Sequence, residues 1–315
     1  TRDQRDAKCR PRQRQRRQQR RAQQRSDWLG KQPRIAELAA QQARGPGEVA
    51  LGEGAIEAMQ RAQPRRILAG QARVAGDRGI GHVRYSTFGS SNLRNVQPLV
   101  ADYARGSMAV AHNGNLTNAA LLREQLEEQG AIFHATTDSE VVLHLVSHSR
   151  KDSFTECMID AMRKLVGSYS LLATDGKVLV AARDPLGFRP LWIGKLDNAW
   201  VVASETCALD IIDAEWIREI EPGEVVTLSD NGIESVKPFA PETPQQCVFE
   251  FVYVARPDSY IFGRSVDEVR KQLGRELAKI APVEADLVMA VPDSSNPAAL
   301  GYSHESGLPF DMGFI

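Results

Sequence analysis

The sequence predicts an α+β layered domain followed by the opening of a parallel α/β sheet. Three observations lead there. Residues 107–167 hold one apolar strand pattern and then three segments of helical period. Residues 168–240 are a run of short apolar strands joined by small polar turns. Beyond a proline-bounded linker at 241–244, strand and helix patterns alternate.

Each element has its own warrant. GIGHVRYSTFG (79–89) predicts a strand running into a polar loop closed by glycine, and SMAVAHNG (107–114) a strand ending on Asn-Gly. Asn118 to Gln129 has helical period with Leu121, Leu122 and Leu126 on one face, and Gly130 is its stop. AIFHA (131–135) predicts a short strand. Asp138 can cap the helix SEVVLHLVSHS, with Glu140 in its first turn. DSFTECMIDAMRKLVG (152–167) is a third helix, also ended by glycine. Three hairpins follow, turning at Asp175-Gly176, at Leu196-Asp197-Asn198 and at Asp230-Asn231. After the linker come a strand CVFEFVYVA (247–255), a helix from about Ser265 to Ile280, a strand DLVMAVPD (286–293), a helix in SNPAALGYSHESG (295–307) and a last strand near PFDMGFI (309–315). Two or three strands are too few to close a core of their own.

Composition bounds the rest. The chain has 315 residues, 42% hydrophobic and 25% charged, as in ordinary globular proteins. No apolar run reaches the length of a membrane span, and the start lacks a signal-peptide core, so a cytoplasmic location is expected. The four cysteines, Cys9, Cys157, Cys207 and Cys247, are far apart in sequence and form no CxxC pair. The net charge of −1 conceals an imbalance: residues 1–78 carry 19 Lys and Arg against 8 Asp and Glu, and the remainder is acidic. Within that head, KCRPRQRQRRQQRRAQQR (8–25) is almost all arginine and glutamine. The head has one aromatic residue, Trp28, and a short helical pattern at 33–43 with little to bury, so it is expected to be largely disordered. It is either a basic arm for nucleic acid, whose affinity would fall steeply with salt, or a stretch foreign to the fold. The lack of interleaved aromatics for base stacking weighs against the first.

Four residues could carry chemistry. Asn113 and Gly114, in His112-Asn113-Gly114-Asn115, can aim a side-chain amide and a backbone N–H at one point, as an oxyanion hole requires; the alternative is a plain Asn-Gly turn. Arg84, at a strand end, can clamp a carboxylate in two prongs or make a surface ion pair. Asp138 can hold an ammonium group or cap its helix. Together they suit a free amino acid, with Arg84 on the α-carboxylate, Asp138 on the α-ammonium and the two donors facing a side-chain carbonyl.

GIGHVRYSTFGSSNLRNVQP, AVAHNGNLTNAALLREQLEEQGAIF, TTDSEVVLHL, RDPLGFRPLWIG, ASETCALDII, CVFEFVYVARPDS and VPDSSNPAALGY, in this order over residues 79–315, resemble the glutamine phosphoribosylpyrophosphate amidotransferases (amidophosphoribosyltransferases). The glutaminase half alone is also similar to glucosamine-6-phosphate synthases and asparagine synthetases. RDPLGFRPL, FVYVARPDS and VPDSS favour the purine enzymes. The resemblance implies a four-layer αββα sandwich of the N-terminal-nucleophile type over 79–240 and the first part of an α/β phosphoribosyltransferase domain over 245–315. It implies that glutamine is hydrolysed and that the ammonia displaces pyrophosphate from phosphoribosylpyrophosphate, giving 5-phosphoribosylamine at the start of purine synthesis. It implies the amino-acid roles above for Arg84, Asp138, Asn113 and Gly114. It also implies a magnesium site at Ser294, a homo-oligomer, and, in one branch, a 4Fe-4S cluster for which Cys247 matches the first of four ligands; a buried strand cysteine is the other reading of Cys247. Cys157 and Cys207 are expected to be packing residues.

Two features depart from that family. Its nucleophile is a cysteine at the mature N-terminus, followed by glycine and an apolar strand, whose free α-amine serves as base. Cys9 is followed by Arg-Pro-Arg-Gln and Thr1 by Arg-Asp, so neither opens a strand. The family's histidine-arginine-glycine turn is also missing from the head. Residues 1–78 are therefore expected to be a frame error or a faulty gene model, which translation of the other two frames would reveal. The phosphate-cradling loop would lie beyond Ile315. The sequence as it stands is expected to be an incomplete, inactive form; the alternatives are a nucleic-acid-binding protein using the basic arm, and a pseudoenzyme that only binds glutamine.

Overall fold

In a computed structural model, residues 78–83 and 93–314 are described. The expectations placed on Thr1, Cys9, the remaining head up to residue 77, and Arg84 lie outside them.

Eleven strands and six helices are described. The larger sheet has six antiparallel strands in the order β1-β2-β3-β4-β8-β9: β1 Leu99–Tyr103, β2 Gly106–Leu116, β3 Gly167–Thr174, β4 Leu179–Arg183, β8 Val225–Ser229 and β9 Gly232–Val236. A second sheet has the order β6-β5-β7, with β5 Trp192–Leu196, β6 Ala199–Ala203 and β7 Glu215–Glu219. Strand alternation divides the core into layers. Met108, Val110, Leu171, Val180, Ala182 and Val225 point to one face of the large sheet and meet Leu122 and Leu126 of helix α1 (Ala119–Glu128). Val142 and Val146 of α2 (Glu140–His148) and Met158 and Met162 of α3 (Phe154–Met162) complete that layer. On the opposite face, Ala181, Val226 and Leu228 pack against Ile193 of the second sheet and against Leu191 and Ile220 at the ends of its strands. Beyond it, Leu209 of the short helix α4 (Thr206–Ile211) covers Trp192. Helices, sheet, sheet, helix is the expected α+β sandwich.

The three expected hairpins form, β3–β4, β5–β6 and β8–β9. Helix α3 begins at a capping box: the Ser153 hydroxyl accepts from the Glu156 N–H, and the Glu156 carboxylate accepts from the Ser153 N–H. Other local readings give way to longer-range contacts. Residues 131–135 form no strand. The N–H groups of His134 and Ala135 donate to the two oxygens of the buried Glu140 carboxylate, each at 2.7 Å, which leaves them no ladder to join. Leu121 is 56% exposed, so α1 buries only Leu122 and Leu126 of its three leucines. Residues 78–83 have no regular structure, yet Ile80 is buried against Ala109 and Ala111, in the layer of the second sheet.

The largest correction falls on 247–255. Instead of a strand, Glu250–Val254 form one π-helical turn. Two buried side chains hold it. The Glu250 carboxylate pairs with Arg189 at 2.6 Å, and the Arg270 guanidinium donates to the carbonyl oxygens of Phe251 and Ala255. Arg270 lies on helix α5 (Val266–Ile280), which follows a two-residue ladder of β10 (Tyr260–Ile261) and β11 (Arg264–Ser265). The strands expected at 286–293 and 309–315 reduce to one parallel bridge, Val288 to Phe310, flanking helix α6 (Asn296–Ser306).

Helices α5 and α6 touch backbone to backbone. A Cβ on Gly274 would lie 1.8 Å from the Ala298 carbonyl oxygen, and one on Gly301 would lie 2.0 Å from that of Lys271. Both contacts are rigid backbone, so a methyl group must push the helices apart. Gly301→Ala is expected to destabilise this helix pair by about 1–3 kcal/mol, read as faster amide hydrogen exchange in 266–306 with exchange in 167–183 unchanged.

Candidate functional site

The site lies where β2 outruns β1. Their ladder ends at Leu99 opposite Val110, while β2 continues to Leu116. On its other side β2 stays paired with β3 throughout, and the pairing continues one residue on with the Thr117 N–H to the Val166 carbonyl at 2.8 Å. Odd-numbered N–H groups of β2 therefore point to β3, and even-numbered ones to the side β1 has vacated. There, side chains replace a strand. The His112 N–H donates to Gln97 Oε1 at 2.7 Å, and the Leu116 N–H to Asp138 Oδ2 at 2.8 Å. The N–H of Gly114 lies between them in the same alternation.

Gly114 has no room to be anything else. Its φ is +154°, and a Cβ would stand 2.1 Å from the Ser168 carbonyl oxygen and 2.8 Å from His112 Nε2. The backbone here is pressed against β3 on one side, and on the other its N–H faces the side that β1 has left.

Asp138 does not cap its helix. Its carboxylate turns back to the sheet, where Oδ2 takes the Leu116 N–H and Oδ1 accepts from the hydroxyls of Thr137 (3.1 Å) and Ser139 (3.2 Å). Gln97 Nε2 donates to Ser139 Oγ at 3.3 Å. Under this carboxylate lies His112, 4% exposed. Its Nε2 faces the Ser168 carbonyl at 3.2 Å, which can only accept, so Nε2 carries the proton; Nδ1 then faces Ser139 Oγ at 3.0 Å, and the one hydroxyl proton of Ser139 is shared between Nδ1 and Asp138 Oδ1. Burial pushes the His112 pKa below its ordinary value; Asp138, 3.8 Å away, opposes this, and Arg189 adds to it. The imidazole is thus a neutral strut between the end of β2 and the Thr137–Ser139 turn.

Asn113 points the other way, toward the second sheet. Its Nδ2 lies 3.5 Å from Ser204 Oγ, just past the end of β6. His82 Nε2 donates to the His112 carbonyl at 3.1 Å, so the described residues ahead of the sheet also reach this spot. Of the residues singled out by sequence, Gly114, Asn113 and Asp138 come together at one strand end, and Arg84 lies outside the described residues. Cys247 and Ser294 are elsewhere. Cys247 is half-buried, with its N–H on the Phe188 carbonyl, and Ser294 is half-buried in the turn before α6. Cys157 and Cys207 are buried in α3 and α4, as packing residues are. Among the described residues no group of three or more His, Cys, Asp or Glu is placed to hold a metal.

Sequence reasoning missed Gln97, His112 and Ser139. Only one signal was available: three polar residues, Thr137 to Ser139, stand directly before an apolar helix and are polar for a reason other than exposure.

The neutral, buried His112 fixes a pH dependence. Unfolded, it takes up its proton near pH 6.5; folded, it does so only at lower pH. Its contribution is full above about pH 6.5 and is lost as pH falls toward the folded pKa. Between pH 7.5 and 5.5 the unfolding free energy of His112→Gln is expected to fall less steeply than that of the wild type, measured by urea denaturation at each pH. Equal slopes would show that His112 stays neutral in both states or charges in both.

Known proteins bear on this geometry. Residues 82–210 match the family model described as a glutamine amidotransferase domain. Over 249 residues the chain is 51% identical to an amidophosphoribosyltransferase of Rhizobium etli, covering 78% of this chain and 50% of that protein. Over 244 residues it is 52% identical to a chloroplastic amidophosphoribosyltransferase of Arabidopsis thaliana, covering 77% of this chain and 43% of that protein. Among solved structures, the fold matches glutamine phosphoribosylpyrophosphate amidotransferase from B. subtilis, complexed with ADP and GMP, with a TM-score of 0.70 and 43% identity over 74% of this chain and 50% of that one. The chain spans about half the length of the curated relatives it matches. Its likeness to them covers the sandwich and the strand end at Gly114 and Asp138 alike: residues 82–210 match a glutamine amidotransferase domain, and over the span it shares with them the chain is similar to the amidophosphoribosyltransferases.

Proposed function

We propose that residues 79–240 are the glutaminase part of an amidophosphoribosyltransferase and that 245–315 open its phosphoribosyltransferase part. The observation that carries this reading is the even-numbered edge of β2 beyond β1, where Gly114 stands between two backbone N–H groups answered by Gln97 and Asp138. Glutamine lies along that edge. Its α-ammonium meets Asp138, which keeps acceptor capacity beyond its three recorded donors. Its side-chain carbonyl meets the Gly114 N–H and the Asn113 amide, and Arg84 takes the α-carboxylate. As a nucleophile adds to that carbonyl, charge builds on its oxygen, and two fixed donors stabilise the charge without reorganising.

Hydrolysis releases glutamate and ammonia, and the ammonia displaces pyrophosphate from phosphoribosylpyrophosphate to give 5-phosphoribosylamine. The attacking thiol is assigned to no residue: Cys9 lies outside the described residues and is followed by Arg-Pro-Arg-Gln, which has no strand pattern. Cys247 has no companion ligand set among the described residues, so no step is derived through an iron–sulfur cluster. Magnesium near Ser294 would accompany the phosphorylated substrate. The three described cysteines are free thiols, and no described helix is long and apolar enough to cross a membrane. Free thiols suit a reducing compartment such as the cytoplasm. Exposed Val248, Phe249, Val252 and Tyr253 suit assembly with further copies.

Titration calorimetry with glutamine tests the reading. Asp138→Asn keeps the shape and removes the charge; losing one charge-assisted hydrogen bond is worth about 1.5–3 kcal/mol, so affinity is expected to fall roughly 10- to 100-fold. Gly114→Ala, which cannot fit, is expected to abolish binding. A wild type that binds no glutamine, or an Asp138→Asn variant that binds it as well, removes the reading.

A further inference from the structure

Three consecutive residues after β6 do two different things. Ser204 faces the site, with its hydroxyl 3.5 Å from Asn113 Nδ2. Glu205 and Thr206 face away from it and hold the chain that leads into α5. Glu205 Oε2 accepts from the Ser259 hydroxyl at 2.6 Å and from the Arg256 N–H at 2.8 Å. Thr206 Oγ1 accepts from the Tyr260 N–H at 2.8 Å. Thr206 is wholly buried and Ser259 is 1% exposed, so the Thr206–Tyr260 and Glu205–Ser259 bonds are partly shielded from competing water. Glu205 caps no helix N–H with its carboxylate although it stands at the N-cap position of α4. An acid at that position ordinarily serves its own helix; here it is spent on the 256–259 turn.

We infer that Glu205 is a positioning residue, which fixes the Ser204 hydroxyl, and through it the Asn113 amide, to the 256–260 turn of the C-terminal segment. A displacement of that turn pulls on Glu205 and Thr206 together, and Ser204 is the next residue in a chain held at both ends. Among the described residues the Asn113 side chain meets Ser204 Oγ, at a distance where a shift of a few tenths of an ångström makes or breaks the bond. The inference rests on the glutamine reading only for what Asn113 does once it is aligned; the mechanical link stands on its own.

Hydrogen exchange on the ligand-free full chain decides the link. Glu205→Gln keeps the size and weakens both bonds. Exchange is expected to rise at least threefold at 256–260 and also in 203–206 and 112–116. Ser259→Ala, which leaves the carboxylate on the Arg256 N–H, is expected to give the same pattern more weakly and serves if the first variant fails to fold. A rise confined to 256–260 would mean a local brace and overturn the inference. Glutamine titration is a separate arm. With the link intact, Glu205→Gln is expected to lose about as much affinity as Asn113→Ala, and the double variant little more. If the wild type binds no glutamine the functional reading falls, while the exchange pattern still decides the link.

Discussion

The end of β2 is the constraint on which the rest of the site depends. A strand buried inside a protein cannot leave its N–H groups unanswered. Where β1 stops, Gln97 and Asp138 supply acceptors two strand repeats apart, at His112 and Leu116, and each is reached through a chain of buried polar groups. His112 fills the space beneath, Ser139 links His112 to Asp138 and Gln97, and the Thr136–Ser139 turn is set by Asn95 and Glu140 from two sides. Remove the open edge and none of these polar residues would have cause to be inside. The same edge puts Gly114 within reach of a ligand, since side-chain acceptors, unlike a paired strand, can leave a gap of one residue.

The two sheets divide the labour. The large sheet brings Gly114 and Asp138 together, and the second sheet brings Ser204 to Asn113. The buried Arg183, which donates to the carbonyls of Ile220 and Gly187 and pairs with Glu219, ties one sheet to the other. Asp184 beside it takes N–H groups of Tyr169, Leu186 and Phe188 and shapes the loop that carries Arg189. Burial raises the Asp184 pKa against those donors, so the loop has a cost that the sandwich interior repays through packing. Arg189 then reaches Glu250, and the C-terminal segment is held to the loops around the site by a buried ion pair and by the contacts of Glu205 and Thr206.

Much of the sandwich was legible. The hairpins at Asp175-Gly176, Asp197 and Asp230-Asn231 need only turn chemistry between alternating strands, and the helices at 119–128 and 154–162 only period and caps. Local pattern failed where a distant side chain claimed the backbone. Residues 131–135 look like a strand, but Glu140 takes their N–H groups. Residues 247–255 alternate and branch like a strand, but Arg270 gathers the carbonyls of Phe251 and Ala255 into a helical turn. Asp138 looked like a helix cap, and the pull of an unanswered N–H across the sheet was stronger.

By itself the sequence determined the order of elements, the turn positions, and the residue types able to hold an amino acid at Asn113, Gly114 and Asp138, because these follow from local dihedral preferences and side-chain chemistry. Only the tertiary structure decided which N–H groups at the end of β2 lose a strand partner, which side chains turn inward to meet them, and that Ser204 and Glu205 face opposite ways. Those choices depend on where one strand stops relative to its neighbour, and a one-residue change in that register would send every side chain to the other face.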